Sequence, residues 1–399
     1  MDWYKFSRRS FLSRSLVASS FLLAPDILKS LKASSIAEVE FAKRDPLLFA
    51  ERNGIVNPIH KIILTGIVAP NSHNSQPWKI KILSDKQFEL YADGNRQLLP
   101  IDPVNRQLYH TQGTFIEFAL VASEHLGYDL KIQLFPQGID KAQSIGTLPV
   151  AKFTLSDKNL SNLNSSGFYE AIQNRQMNRG EYSGDYLGED LGQEILSLVE
   201  PKFSSLVFVF GQNRIQEIIP MFQRSFEREI SNPIQNNVSR EWFRISKEDI
   251  YTKRDGITLE GNGLKQPILW IAKTFFMDMS EEGWNSEDSV KQVNESFAKS
   301  LETSKGFVFL VSRGLDDAKS WVQAGREFGR LTLACAKLGI AFHTMNQAFV
   351  DTKESKETHD EFKKSLNLPK DARIQLAGRM GYASASFVSP RRELKEFML

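Results

Sequence analysis

Residues Gly113 to Gly127 read GTFIEFALVASEHLG, and residues Gly325 to Gly339 read GREFGRLTLACAKLG. Both fit the pattern G-x2-[IF]-x5-A-x3-L-G, with Ile116 matching Phe328, Ala122 matching Ala334 and Leu126 matching Leu338. Apolar residues three and four apart predict an amphipathic helix in each case, closed by a glycine at the position after the cap. Two unrelated helices that happen to stop at Leu-Gly are the alternative to a duplication.

The surroundings repeat as well. A strand-like run follows the first helix at Asp129 to Phe135 (DLKIQLF), and another follows the second at Ile340 to Met345 (IAFHTM). Gly306 to Val311 (GFVFLV) reads as a buried strand, with Val207 to Phe210 a further one. These runs predict an α+β protein in which two related units are fused as an internal pseudo-dimer: a first half at 36–160 and a second at 161–399. They lack the strict β-α-β alternation of a doubly wound sheet. Between about 220 and 284 the second half carries a long polar, glycine-containing segment without a counterpart in the first. A segment of that length is a lid or binding element, or else a plain surface excursion.

Fifty Lys and Arg balance 48 Asp and Glu, for a net charge of +2, and no long basic block stands out. Nucleic acid is therefore not an expected partner. The single cysteine, Cys335, lies between two alanines in a helix-like run and reads as a small core residue. None of the six histidines stands at zinc-finger or H-E-x-x-H spacing, so no metal is expected. The chain holds no G-x-S-x-G elbow, P-loop or G-x-G-x-x-G, and Gly261-Asn262-Gly263 lacks the third glycine.

The amino terminus carries an address. Ser7-Arg8-Arg9-Ser10-Phe11-Leu12 precedes a modest apolar run, Leu16 to Leu23, which Ser19, Ser20 and Pro25 keep too short to span a bilayer. The pattern resembles a twin-arginine export signal over residues 1–35, with Ser13 where a basic residue is usual and Arg14 one place late. It implies export as a folded protein, to the periplasm. A basic amphipathic start to the mature chain is the alternative, and the protein would then be cytoplasmic.

Ala69 to Trp78 reads APNSHNSQPW, between a helix-like run (Ile59 to Val68) and a strand-like one (Lys79 to Leu83). It resembles the A-P-S-x-x-N-x-Q-P-W segment of nitroreductase-like flavoproteins. Phe168 to Tyr182 (FYEAIQNRQMNRGEY) resembles that family's first helix with its R-x-[ST]-x-R element. Trp321 to Gln347 resembles the central helix and the strand after it. Gly381-Tyr382 and Ser389-Pro390-Arg391-Arg392 resemble the carboxyl end. The fused pair, the R-E-W…R-D-G insert and the terminal S-P-R-R together resemble the Acg subfamily.

The resemblance implies bound FMN, with one flavin site across the two halves, because the loop lies in the first half and the arginine segment in the second. Pro70, Asn71, Ser72, Asn74 and Gln76 would present loop groups to it. Arg175, Arg391 and Arg392 would hold the phosphate, Arg179 would sit by the N1/O2 edge, and Met345, Asn346 and Gln347 would lie near N5. Two or more arginines suit a phosphate, since charge-assisted bonds contribute roughly 1.5–3 kcal/mol each. Arg175 and Arg179, four apart, are expected on one helix face, for which a solvated surface is the alternative reading. Met177 stands where the family offers a hydroxyl, so Asn178 or a serine of the other half would have to replace that bond. His73 is read as hydrogen-bonded structure in preference to a proton donor.

Flavin chemistry needs no triad or paired carboxylates, and none is apparent. The resemblance implies a ping-pong oxidoreductase that takes hydride from NAD(P)H and reduces a nitroaromatic, quinone or similar acceptor. The alternative is a protein that holds FMN beneath a closed lid with little or no turnover.

Overall fold

The computed structural model describes residues 44–141, 144–156, 167–273, 278–314, 316–384 and 387–399; the signal-like stretch at 1–35 lies outside them. Pro46–Arg52 (α1) and Pro58–Gly66 (α2) come first, and both begin with proline at the start of the helix behind a side-chain cap, Asp45 and Asn57. A first sheet follows: Trp78–Ser84 (β1), Gln87–Ala92 (β2), Leu130–Leu134 (β3) and Ala151–Leu155 (β4), with Arg106–His125 (α3) between β2 and β3. Then come Phe168–Asn174 (α4), Glu189–Val199 (α5) and the second sheet. Its strands are Ser205–Val209 (β5), Gly306–Arg313 (β6), Ala341–Thr344 (β7) and Ala372–Gly381 (β8). Between β5 and β6 run Gln212–Ser231 (α6), Pro233–Glu241 (α7), Lys247–Lys253 (α8), Ile268–Ile271 (α9), Glu281–Trp284 (α10) and Glu287–Glu302 (α11). Ala318–Lys337 (α12) and Ser355–Ser365 (α13) complete the helices.

The two sheets have the same topology. Their orders are β1-β2-β4-β3 and β5-β6-β8-β7, every pair antiparallel, and the long helix lies between the second and third strand of each. The repeated Leu-Gly helix ends are identical in detail. Gly127 and Gly339 take positive φ, 79° and 70°, and Tyr128 and Ile340 donate back to the carbonyls of Ser123 and Cys335, each at 2.8 Å. That is a Schellman cap at both sites. The chain is thus an α+β fold of two related units.

α3 and α12 pack along each other at the centre, and one apolar core runs through both halves, including Trp78, Phe115 and Phe118 from the first and Val322, Phe328 and Phe342 from the second. A second core lies under the insert side of the second sheet around Phe222, Phe309, Phe349 and Phe362. The carboxyl terminus crosses to the first half, where Leu399 N donates to Ile80 O at 2.9 Å. Pro220 falls inside α6, so the helical region between β5 and β6 starts before that proline.

Arg106 at the start of α3 is buried and forms ion pairs with Asp316 and Asp351 of the second half, while His110 one turn on meets Gln375 at 3.2 Å. Arg106 is the buried member of the cluster, while the two carboxylates are partly exposed, so loss of either acid leaves it paired with the other.

Candidate functional site

The loop Ala69 to Trp78 is braced by α3. Thr114 Oγ1 donates to Pro70 O at 2.7 Å, Gln112 Nε2 to Pro77 O at 2.8 Å, and Trp78 Nε1 to Thr111 O at 3.2 Å. Inside the loop, Asn71 Oδ1 accepts from Gln76 N at 2.8 Å. His73, Asn74 and Gln76 all adopt the left-handed region, with φ of 53°, 52° and 50°. Non-glycine residues held there are strained, by roughly 1–3 kcal/mol each, and such strain clusters at functional sites.

The carboxyl-terminal segment supplies part of the restraint. Asn74 Oδ1 accepts from Arg391 Nη1 at 2.6 Å, and Asn74 Nδ2 donates to Pro390 O at 3.2 Å. Arg391 also donates from Nε to Ile67 O and from Nη2 to Val68 O and Ala69 O, so it caps the carbonyl end of α2.

Arg175 and Arg179 do not share a helix. α4 stops at Asn174, Arg175 takes extended ψ (121°), and the chain then runs beside β7, with Asn178 N donating to Phe342 O at 2.9 Å. The Asn178 side chain fixes the turn, accepting from Gly180 N and donating to Ser384 O. Short polar side chains compete in this way with the helical ladder, which is why the four-residue spacing did not become a face.

Both arginines nevertheless line one pocket. With them are Pro70, Asn71, His73, Asn74, Met177, Phe387, Ser389 and Arg391, and Gly256, Ile257, Thr258 and Gly261 from the insert. Its empty space is about 500 Å³, open mouth included. None of its lining residues is acidic. Arg175 is 5% exposed, lies 5.9 Å from the Phe118 ring, and its Nε and Nη1 have no hydrogen-bond partner. Burial pulls its pKa down to about 10; burial, and then the nearby Arg175, pulls Arg391 to about 9. Arg179 donates to Gly261 O at 3.4 Å and is lowered by burial and by Arg379. His73, with Nε2 at 3.2 Å from Ser239 Oγ, is lowered to about 4 by burial and by Arg179, so it is neutral near pH 7. Buried cations facing a cavity without a carboxylate make an anion site.

The other sequence-proposed residues lie elsewhere. Ser72 donates to Gln107 Oε1 on the far side of the loop, and Gln76 is fully buried, its amide reaching Arg254 O at 2.8 Å. Arg392 donates to Gln76 O and stacks on Phe397. Met345 is buried in the second core, Asn346 accepts from Ala377 N, and the Oε1 of Gln347 is buried without a partner; none of the three lines the pocket. Of the insert wall, Gly256 belongs to the R-D-G motif Arg254-Asp255-Gly256 and Gly261 to Gly261-Asn262-Gly263. Phe387 carried no sequence signal. In the second half, the loop before β5 is held differently: Glu327 of α12 accepts from the backbone of Lys202, Phe203 and Ser204. Among the described residues there is no cluster of metal-ligating side chains, and no helix long and apolar enough to cross a membrane.

No family model matches the chain. Two Mycobacterium tuberculosis proteins provisionally named NAD(P)H nitroreductases, from strains H37Rv and CDC 1551, are each 29% identical over 94 residues, 23% of this chain. The match spans about a quarter of the length of those curated relatives, 27%. Among solved structures, a Bacteroides fragilis nitroreductase with bound FMN aligns with 54% of this chain and 88% of its own, at 14% identity and a TM-score of 0.30. The FMN-dependent nitroreductase NfnB of Mycobacterium smegmatis, in complex with NADPH, aligns with 59% of this chain and 97% of its own, at 15% identity and a TM-score of 0.34.

Proposed function

We propose that the protein is an FMN-dependent oxidoreductase of nitroreductase type, taking hydride from NAD(P)H and reducing a nitroaromatic, quinone or similar small acceptor. The observation that carries this reading is Arg175: a buried guanidinium with two unpartnered nitrogens, in a pocket lined by two further arginines and no acid. That arrangement fits a phosphate dianion. FMN, when bound, supplies the ring that accepts and returns the hydride.

The chain's own groups then divide the work. Arg175 offers free N–H groups to the phosphate. Arg391 adds charge beside it while its donors hold the carbonyls of Ile67 to Ala69, just past α2, and Asn74. Arg179, on the insert side, offers a cation to an electron-rich ligand edge, and His73 stays uncharged beside it. The bracing of the loop by α3 leaves little freedom to lose on binding, which favours affinity.

The test is to purify the full chain, measure its visible flavin absorbance with and without added FMN, and add NADH or NADPH anaerobically before an acceptor. Stoichiometric FMN that is bleached by the donor and restored by nitrofurazone or menadione is expected. A chain that takes up no FMN overturns the reading. Bound flavin that stays oxidised would make it an FMN-holding protein. We also propose export through the twin-arginine route; Arg8→Lys with Arg9→Lys leaving export unchanged would overturn that.

A further inference from the structure

The insert reaches the site through contacts that converge on the strained loop. Gln76 Nε2 donates to Arg254 O at 2.8 Å, Gly256 N donates to Asn74 O at 3.3 Å, and Ser239 meets His73. Arg96 ties the two together: its Nη1 donates both to Ser75 O at 2.8 Å and to Asp255 Oδ2 at 2.9 Å. Asp255 is 5% exposed and also takes Arg244 Nε at 3.0 Å.

The apolar side of this contact is small. Val238 and the partly buried Trp242 of the insert pack with Leu98 and Ile101, with the Arg96 guanidinium 5.6 Å from the Trp242 ring, whereas Phe243, Leu259 and Leu269 form a separate cluster inside the insert. The insert therefore has a core of its own and commits two apolar side chains, Val238 and Trp242, to this cluster with the first half. We propose that residues 233–263 form a lid over the pocket and that the Arg96–Asp255 ion pair is its latch, released when ligand enters or leaves.

The charges are arranged for reversible release. Breaking a buried ion pair is costly when it strands a charge. Here Asp255 keeps Arg244, which moves with it, and Arg96 keeps Asp93 at 3.7 Å. Opening therefore leaves neither ion unpaired. The same guanidinium holds the Ser75 carbonyl, so release also frees the loop whose residues line the opposite wall.

The test is hydrogen–deuterium exchange on the ligand-free full chain with Asp255→Asn and Arg96→Lys. In D255N, exchange over 233–263 and 69–78 should accelerate by about tenfold, as expected for local opening, while β2, β4, β6 and β8 stay protected. R96K should lie between D255N and wild type. Unchanged exchange over 233–263, or a rise spread evenly through both sheets, overturns the latch. A second arm rests on the FMN reading: release of bound FMN, followed by fluorescence recovery, should quicken in D255N, and a release rate equal to wild type would count against the latch. If wild type takes up no FMN, that reading falls by itself and the exchange result decides the latch.

Discussion

Gly113 and Gly325 occupy reciprocal positions where α3 crosses α12. A Cβ on Gly113 would stand 2.1 Å from the carbonyl oxygen of Val322, and a Cβ on Gly325 would stand 2.1 Å from that of His110. Each glycine thus lies against the backbone one turn before the other, the self-complementary arrangement of a two-fold interface, here formed within one chain. The repeat that revealed the duplication begins at these glycines because the crossing leaves no room for a side chain.

Gly113→Ala and Gly325→Ala should each destabilise the protein by about 1–3 kcal/mol or more, since the clash is with backbone that cannot step aside. Urea unfolding of the single and double variants measures this. Because both methyls force the same helices apart, the double variant should cost less than the sum of the singles.

Arg175→Met should leave the ligand-free protein at least as stable as wild type, because it removes a buried cation without a partner. The same change should weaken FMN binding by at least about tenfold, from the loss of charge-assisted bonds of roughly 1.5–3 kcal/mol each. Thermal melts with and without FMN read both effects, and a variant that keeps the wild-type ligand shift would remove Arg175 from the site.

Asn74→Gly and Asn74→Ala should both lower FMN affinity, since each takes the Oδ1 acceptor from Arg391. Alanine should cost about 1–2 kcal/mol more stability than glycine, because position 74 sits at φ 52° and only glycine relaxes that strain. If Asn74→Ala leaves FMN occupancy unchanged, the loop serves only to seat Trp78 in the core.

Burial, reinforced by Arg106, lowers His110 from 6.5 to about 3. The unfolded chain then binds a proton that the folded chain refuses, so stability falls as pH drops from about 6.5 towards 3 and levels off below. His110→Gln should reduce the slope of stability against pH by about 1.4 kcal/mol per pH unit near pH 5. Glu229, raised by burial to about 7, acts with the opposite sign and is untouched by the substitution. Urea midpoints between pH 4 and 7 provide the measurement.

The two-unit layout was legible because helix caps and buried strands are local. Leu126-Gly127 and Leu338-Gly339 both stop a helix for the same backbone reason, and GFVFLV became the fully buried start of β6. The loop was legible as a constrained element because two prolines and several side-chain acceptors sit within ten residues. The arginine pair departs from the helix face its spacing predicts, because only continued helix would bring Arg175 and Arg179 to one side and α4 stops at Asn174. The hydrogen bonds that end α4 run from Asn178 to Phe342 and Ser384, more than 160 residues away.

Sequence by itself determined the duplicated units, the glycine-stopped helices, the loop at 69–78 and the residue types able to hold an anion, because each rests on neighbours in the chain. Tertiary structure alone decided which pocket arginine keeps unused donors. Arg391 spends its donors on the carbonyls of Ile67 to Ala69 and on Asn74, and Arg392, though its Nε has no partner, holds the Gln76 carbonyl away from the pocket, while Arg175 lines the pocket with Nε and Nη1 both unused. It likewise decided that the insert, and not the run at Met345 to Gln347, forms the facing wall. Partners at separations of hundreds of residues leave no periodicity, and a donor's availability depends on every acceptor the fold brings near it.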